Sequence, residues 1–145
     1  MIVLDSDILS LMLLGGAFQE QLQKRLERVA PGDLATTIVN YEEQVRGWLK
    51  LISSSKKVVE QINAYRLLNQ HLSLYRTVQV LDFDESAAAH FQQLRKQFRR
   101  HGPSDLKIAS IALAHHAVLT IESDLEKGTT VTVAFDDYRN TGVMA

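Results

Sequence analysis

Acidic side chains stand at four places, three just after a strand and one at the opening of a helix. Asp5 closes the apolar run Ile2-Val3-Leu4. Glu42 and Glu43 follow the β-favouring run Leu34–Val39, Asp105 opens a helical stretch, and Asp124 follows the short run Ala117–Ile121. In sheets whose strands alternate with helices, groups just beyond the strand carboxyl ends converge in space. The first turn of a helix favours anions as well. Carboxylates gathered in one place repel each other and call for a counter-cation. Hard oxygen donors without any cysteine suit Mg²⁺ or Mn²⁺. The chemistry such a site supplies is phosphodiester hydrolysis by metal-activated water, with a second ion, roughly 4 Å away, able to stabilise the leaving oxygen. Each acid taken singly also reads as a helix cap, as Asp33, Asp82 and Asp84 do. The set, rather than any member, points to a site. Carboxylates alone leave open a phosphatase or another small-molecule phosphoesterase.

Other chemistries lack their residues. The absence of cysteine removes disulfide scaffolds, thiolate zinc sites and a cysteine nucleophile. No Gly-x-x-x-x-Gly-Lys loop is present, and none of the five histidines falls in a metalloprotease pattern. Ser104 lies outside any Gly-x-Ser-x-Gly elbow and reads as a helix cap. His115 and His116 end a helix, where positive charge complements the dipole.

The elements that must carry the acids follow from periodicity. Ile2–Leu4, Leu34–Val39, Thr77–Phe83 and Ala117–Ile121 read as strands, and Thr129–Phe135 as an edge strand. Helices are expected over Ile8–Leu14, Phe18–Val29, Tyr41–Ile52, Lys56–Tyr75, Glu85–Arg100 (capped by Asp84) and Asp105–His116 (capped by Ser104). Apolar faces are expected at Val45, Trp48, Leu49 and Ile52, and at Val59, Ile62, Leu67 and Leu74. Alternation of this kind implies a three-layer α/β/α fold with a short, mainly parallel sheet. At 145 residues, with ordinary apolar and charged content and no dividing linker, the chain suits a single domain over 1–145. It shows no signal peptide and no stretch long enough to span a membrane, so a cytoplasmic location is expected.

Four segments resemble the PIN-domain family, in particular VapC-type toxins of bacterial toxin–antitoxin pairs. Ile2-Val3-Leu4-Asp5-Ser6-Asp7-Ile8-Leu9-Ser10 is similar to the family's opening strand and Asp. Thr37 to Gly47 resembles its second motif, in which a Glu precedes a Gly by four residues, and this spacing selects Glu43 over Glu42. Gly102-Pro103-Ser104-Asp105-Leu106-Lys107-Ile108-Ala109 matches the pattern Gly-x-x-Asp-Leu-x-Ile-Ala, the most specific signal in the chain. The fourth segment, Thr120-Ile121-Glu122-Ser123-Asp124-Leu125, departs from the family's Thr-x-Asn-x-x-Asp-Phe. No Asn follows Thr120, and the Asp arrives one residue early, which leaves Glu122 as a rival to Asp124. Gly128 to Phe135 also resembles, briefly, the Gly-Thr-Thr segment of histidine-kinase ATPase domains, without the rest of such a domain.

The resemblance implies an endoribonuclease in which Asp5, Glu43, Asp105 and Asp124 hold Mg²⁺ or Mn²⁺ and metal-activated water cuts RNA without a covalent enzyme intermediate. It further implies a homodimer and a cognate antitoxin, for whose docking the helices of Tyr41 to Tyr75 are the expected surface. Arg95, Arg99, Arg100 and Lys107, with Lys96 and His101, supply positive charge near Asp105 for an RNA backbone. The formal net charge of −1 gives that reading no global support, and a solvated helix face accounts for the run equally well. The altered fourth motif implies an alternative: a catalytically weakened PIN-like module that binds RNA or protein.

Overall fold

The structure is a computed structural model that describes residues 1–14, 20, 23, 24 and 26–120. Four strands, β1 (Ile2–Leu4), β2 (Leu34–Thr37), β3 (Gln79–Leu81) and β4 (Val118–Thr120), form a parallel sheet in the order β3-β2-β1-β4. Among the described residues, the helices α1 (Ser6–Leu14), α2 (Ile38–Ser54), α3 (Val58–Tyr75), α4 (Glu85–Gln97) and α5 (Pro103–Ala114) connect them. A 3-10 turn at Pro31–Asp33 leads into β2. The order reverses at β1, with β2 on one side and β4 on the other. In open parallel sheets, ligands sit beyond the strand carboxyl ends at such a reversal, and Asp5 lies at the carboxyl end of β1.

Strand alternation sorts the core into two faces. Val3, Ala35, Leu81 and Leu119 point to one side, against Val39, Ala87, Ile108, Ile111 and Ala112. Ile2, Leu4, Leu34 and Val80 point to the other, against Ile8, Leu9, Met12, Tyr41 and Tyr75. Helices thus cover both faces, giving the expected α/β/α layers. Among the described residues, no helix is long and apolar enough to cross a membrane.

Local chemistry moves several boundaries from their expected positions. β2 stops at Thr37 although Ile38 and Val39 favour strands. Thr37 N-caps α2: its Oγ1 accepts from the Asn40 N–H at 3.1 Å, and Asn40 Oδ1 accepts from the Thr37 N–H at 3.3 Å. Helix α1 begins at Ser6 rather than Ile8, because the Asp5 carbonyl already accepts from the Leu9 N–H. Asp84 caps α4 as expected, its Oδ1 accepting from the Ala87 N–H at 2.9 Å, but α4 ends at Gln97, which places Arg99 and Arg100 in the following turn. Gly102, not Ser104, is the N-cap of α5, since Pro103 with its fixed φ suits the first helical position. α5 closes in a Schellman turn: the Ala117 N–H reaches the Ala112 carbonyl, the His116 N–H reaches that of Leu113, and His116 takes φ 50°.

The inner face of α3 also differs from expectation. Val59 and Ile62 are exposed, and Ala64, His71 and Tyr75 are buried instead. Leu49 of α2 is likewise exposed, while Trp48 packs edge-on against His71. Of the expected Phe18–Val29 helix, Glu20, Gln23, Lys24 and Leu26 are helical, 27–29 form a turn and bend, and 18, 19, 21, 22 and 25 lie outside the described residues, as does the expected strand Thr129–Phe135.

Candidate functional site

Asp5 is fixed by the start of α1 and the start of α2. Its Oδ1 accepts from the Ser6 backbone N–H at 2.7 Å and from Asn40 Nδ2 at 2.9 Å. The same Asn40 Nδ2 donates to Ser6 Oγ at 3.0 Å, and Ser6 Oγ donates to Glu43 Oε2 at 3.3 Å. Residues far apart in sequence thereby form one hydrogen-bonded chain from Asp5 through Asn40 and Ser6 to Glu43. Asn40 is fully buried, and its carbonyl accepts from Thr37 Oγ1 at 2.6 Å, which fixes which end of the amide faces Asp5.

A second tier holds Ser6 from below. Gln44 Nε2 donates to the Ser6 carbonyl at 2.5 Å and to Ser10 Oγ at 3.0 Å. Gln44 Oε1 meets His71 Nε2 at 2.5 Å and accepts from Tyr75 Oη at 3.3 Å. Since Gln44 Oε1 is an acceptor, His71 carries its proton on Nε2. The rings of Tyr41, Trp48 and Tyr75 surround His71 with centroid distances of 5.8, 6.4 and 4.6 Å. α1, α2 and α3 are thus tied together directly beneath the acids.

Burial pushes the Asp5 carboxyl above its ordinary value; the Ser6 N–H and Asn40 amide oppose this, while the nearby charges of Asp7 and Glu43 add to it. Burial likewise lowers the His71 imidazole and raises the Tyr75 phenol. Among the described residues no cation pairs with Asp5 or Glu43; the ion pair found there joins exposed Glu42 to Arg46 one helical turn on.

Asp105 is exposed in the first turn of α5 and its carboxylate folds back over the N-cap, with Oδ2 3.0 Å from where a Cβ on Gly102 would stand. Asp124 and its rival Glu122 lie outside the described residues. Among the described residues, no three His, Cys, Asp or Glu side chains come together closely enough to hold a metal ion. The structure therefore joins Asp5 to Glu43 and does not bring Asp105 into the same group. Asp5 and Glu43, with the Ser6 hydroxyl between them, still fit a hydrated Mg²⁺ or Mn²⁺, since Mg²⁺ commonly binds through one or two carboxylates and keeps its waters.

Ser6, Asn40 and Gln44 are the site residues that sequence reasoning missed. Thr37-x-x-Asn40 carries a readable capping signal, but the meeting of its amide with Asp5 depends on β1 pairing with β2. Arg95 and Lys96 lie exposed in the last turn of α4, with Arg99 and Arg100 exposed just after it. Lys107 is half-buried, its Nζ 5.8 Å from the centre of the Phe83 ring.

A short parallel sheet covered by helices on both faces, with an acid ending its first strand and a second acid on the helix after its neighbour, defines a PIN-like α/β/α protein. The chain belongs to the PIN-domain family, whose pattern matches residues 2–128. Its fold resembles DNA-bound VapBC from Salmonella typhimurium (TM-score 0.66, 19% identity, 91% of this chain and 93% of that one). VapBC-1 from nontypeable Haemophilus influenzae is similar at TM-score 0.61 and 25% identity, over 89% and 95% of the two chains. A toxin–antitoxin complex from Klebsiella pneumoniae matches at TM-score 0.63 and 16% identity, over 100% and 97%. No curated protein matches the sequence significantly.

Proposed function

We propose that this chain is a catalytically weakened PIN-like module that binds RNA and a protein partner. The observation that carries this reading is that Asp5 and Glu43 meet through Ser6 and, among the described residues, no third acid joins them closely enough to hold a metal ion. The departure of the fourth motif from the family pattern agrees with it. The partner is an antitoxin, a proposal supported by the complexes the fold resembles and by the outer face of α2 and α3. There Leu49, Tyr65 and Leu72 line a groove of about 420 Å³, and Val58, Val59 and Ile62 are exposed beside it. A patch of this kind, rimmed by polar residues, is the usual mark of a protein contact, and a homodimer is proposed to use it in part. The unit is proposed to be a single domain over 1–145 that works in the cytoplasm.

A second reading, a Mg²⁺- or Mn²⁺-dependent endoribonuclease of toxin type, is favoured by the uncompensated pair Asp5–Glu43 at the sheet's carboxyl edge. In this reading Asp5, Glu43, Asp105 and Asp124 would hold the ion. The ion, when bound, supplies water activation and charge stabilisation at the phosphate. Asn40 and the Ser6 N–H keep Asp5 Oδ1 in place, and Ser6 Oγ orients Glu43. One experiment separates the two readings. Purified protein is incubated with labelled RNA in Mg²⁺, Mn²⁺ or EDTA, beside Asp5→Asn, and RNA binding is measured in parallel. Binding without metal-dependent cleavage is expected. Cleavage abolished by EDTA and by Asp5→Asn would establish the nuclease instead, and absence of RNA binding would overturn both.

A further inference from the structure

Gln44 joins three helices behind the acid pair, and its amide has no bonding position left over. Nε2 donates to the Ser6 carbonyl at 2.5 Å and to Ser10 Oγ at 3.0 Å, while Oε1 accepts from His71 Nε2 at 2.5 Å and from Tyr75 Oη at 3.3 Å. An amide offers two N–H donors and two lone pairs, so all four are used and one orientation satisfies them. Turning the amide over would set Oε1 against the Ser6 carbonyl. Gln44, His71 and Tyr75 are all buried, and a buried polar chain with every member partnered is rigid.

Ser6 passes that rigidity to both acids. Its N–H donates to Asp5 Oδ1 at 2.7 Å and its hydroxyl to Glu43 Oε2 at 3.3 Å, while its carbonyl is the group that Gln44 holds. Neighbouring side chains of α2 thus grip Ser6 from two directions, Glu43 at the hydroxyl and Gln44 at the carbonyl. Apolar side chains of similar volume at 44 and 71 would fill the same space. They would leave the Ser6 carbonyl to its own helix, where Ser10 Oγ reaches it at 2.9 Å. Packing therefore accounts for the burial of these positions but not for a polar chain that ends on Ser6.

We propose that Gln44 and His71 are positioning residues for a divalent cation at Asp5 and Glu43: acting through Ser6, they hold the two carboxylates in the orientation in which they share an ion. The inference rests on the reading of Asp5 and Glu43 as a cation site. Residues that hold metal-binding side chains from behind set metal affinity by about 10- to 100-fold.

The test is Mn²⁺ binding by the purified, metal-stripped chain, with free Mn²⁺ counted by electron paramagnetic resonance, so that no turnover is involved. Q44M and H71F are compared with wild type and with H71Q, whose amide can still donate to Gln44 Oε1. The control is L94A, which truncates a buried side chain of α4 outside the network; circular dichroism melts verify folding. Q44M should weaken Mn²⁺ binding by about 10- to 100-fold. H71F, one bond further from Ser6, should lose about 10-fold, and H71Q should regain most of it. L94A should bind Mn²⁺ as wild type does although it melts lower. The Ser6 amide proton resonance gives a metal-free readout. It should move upfield in Q44M and H71F, as the bond to Asp5 loosens, and stay in place in H71Q and L94A. Wild-type Mn²⁺ binding with Q44M and H71F unaltered, or a Ser6 resonance that does not move in them, overturns the relay and leaves the cation site standing. An equal loss of Mn²⁺ affinity in L94A overturns it as well, because fold stability alone would then explain the effect. No Mn²⁺ binding by wild type overturns both. Should Q44M fail to fold, the comparison of H71F with H71Q decides.

Discussion

Asn40 is where stability and site geometry meet, so its replacement tests the described network most severely. Asn40→Ala deletes the donor to the Asp5 carboxylate at 2.9 Å and the acceptor for Thr37 Oγ1 at 2.6 Å, at a position with no solvent access. A hydrogen bond to a charged group contributes about 1.5–3 kcal/mol and a neutral one about 1 kcal/mol. The expected loss is therefore about 3 kcal/mol, or roughly 6–12 °C in melting temperature for a chain of this size. The pH dependence supplies a second signature. Asp5 has its folded carboxyl raised above the ordinary 3.8, so the folded state binds the proton more tightly than the unfolded state. Its ionisation thus costs stability at neutral pH, and the cost is relieved as pH falls through the folded value toward 3.8. Asn40 opposes that shift, so Asn40→Ala should gain more stability than wild type between pH 7 and pH 4. Asn40→Asp sets a third negative charge against Asp5 and should lose more at pH 7, about 3–5 kcal/mol as for an unpaired buried charge, with partial recovery in acid or on adding Mn²⁺. Urea denaturation across this pH range, with and without Mn²⁺, measures all of it. If Asn40→Ala melts within 1 °C of wild type, or if Asn40→Asp shows no acid recovery, Asn40 does not hold Asp5 in the manner described.

Further outcomes follow from the same structure. Burial holds His71 neutral below its ordinary 6.5, so the unfolded state takes up the proton first, and stability should fall as pH drops from 6.5 toward the folded value; denaturation of His71→Phe at pH 7 and pH 5 should show that fall reduced. His116 adopts φ 50° in the Schellman turn after α5, so His116→Gly should raise stability by about 0.5–1 kcal/mol and His116→Val should lower it by more, as read by thermal melts. Asp5→Asn removes the repulsion with Asp7 and Glu43; calorimetry should show Mn²⁺ binding lost while the metal-free protein melts no lower than wild type. Val59→Glu with Ile62→Glu changes exposed side chains and should leave the melting temperature within about 2 °C of wild type, while light scattering reports loss of self-association.

The alternation of layers and the likeness to a PIN domain are legible in the chain without coordinates. Ile2-Val3-Leu4 before Asp5, the β-branched run before Glu43 and the Gly102-to-Ala109 pattern are local signals, and local periodicity is enough to alternate strands with helices. The sequence also marked Asp84 as a cap, because capping is settled within four residues. What it could not determine is where an amide or hydroxyl from one element meets an acid from another. Asn40 reads in sequence as a capping residue alone; only the pairing of β1 with β2 sets its amide against Asp5. The inner face of α3 was hidden for a related reason. His71 and Tyr75 are polar enough to look solvent-facing, and they are buried because Gln44 offers them an acceptor from across the helix pair. Asp105, whose sequence context is the most distinctive of the acids, lies apart from Asp5 and Glu43 among the described residues. Its carboxylate lies close to Gly102, a placement set by the helix start that no residue spacing announces.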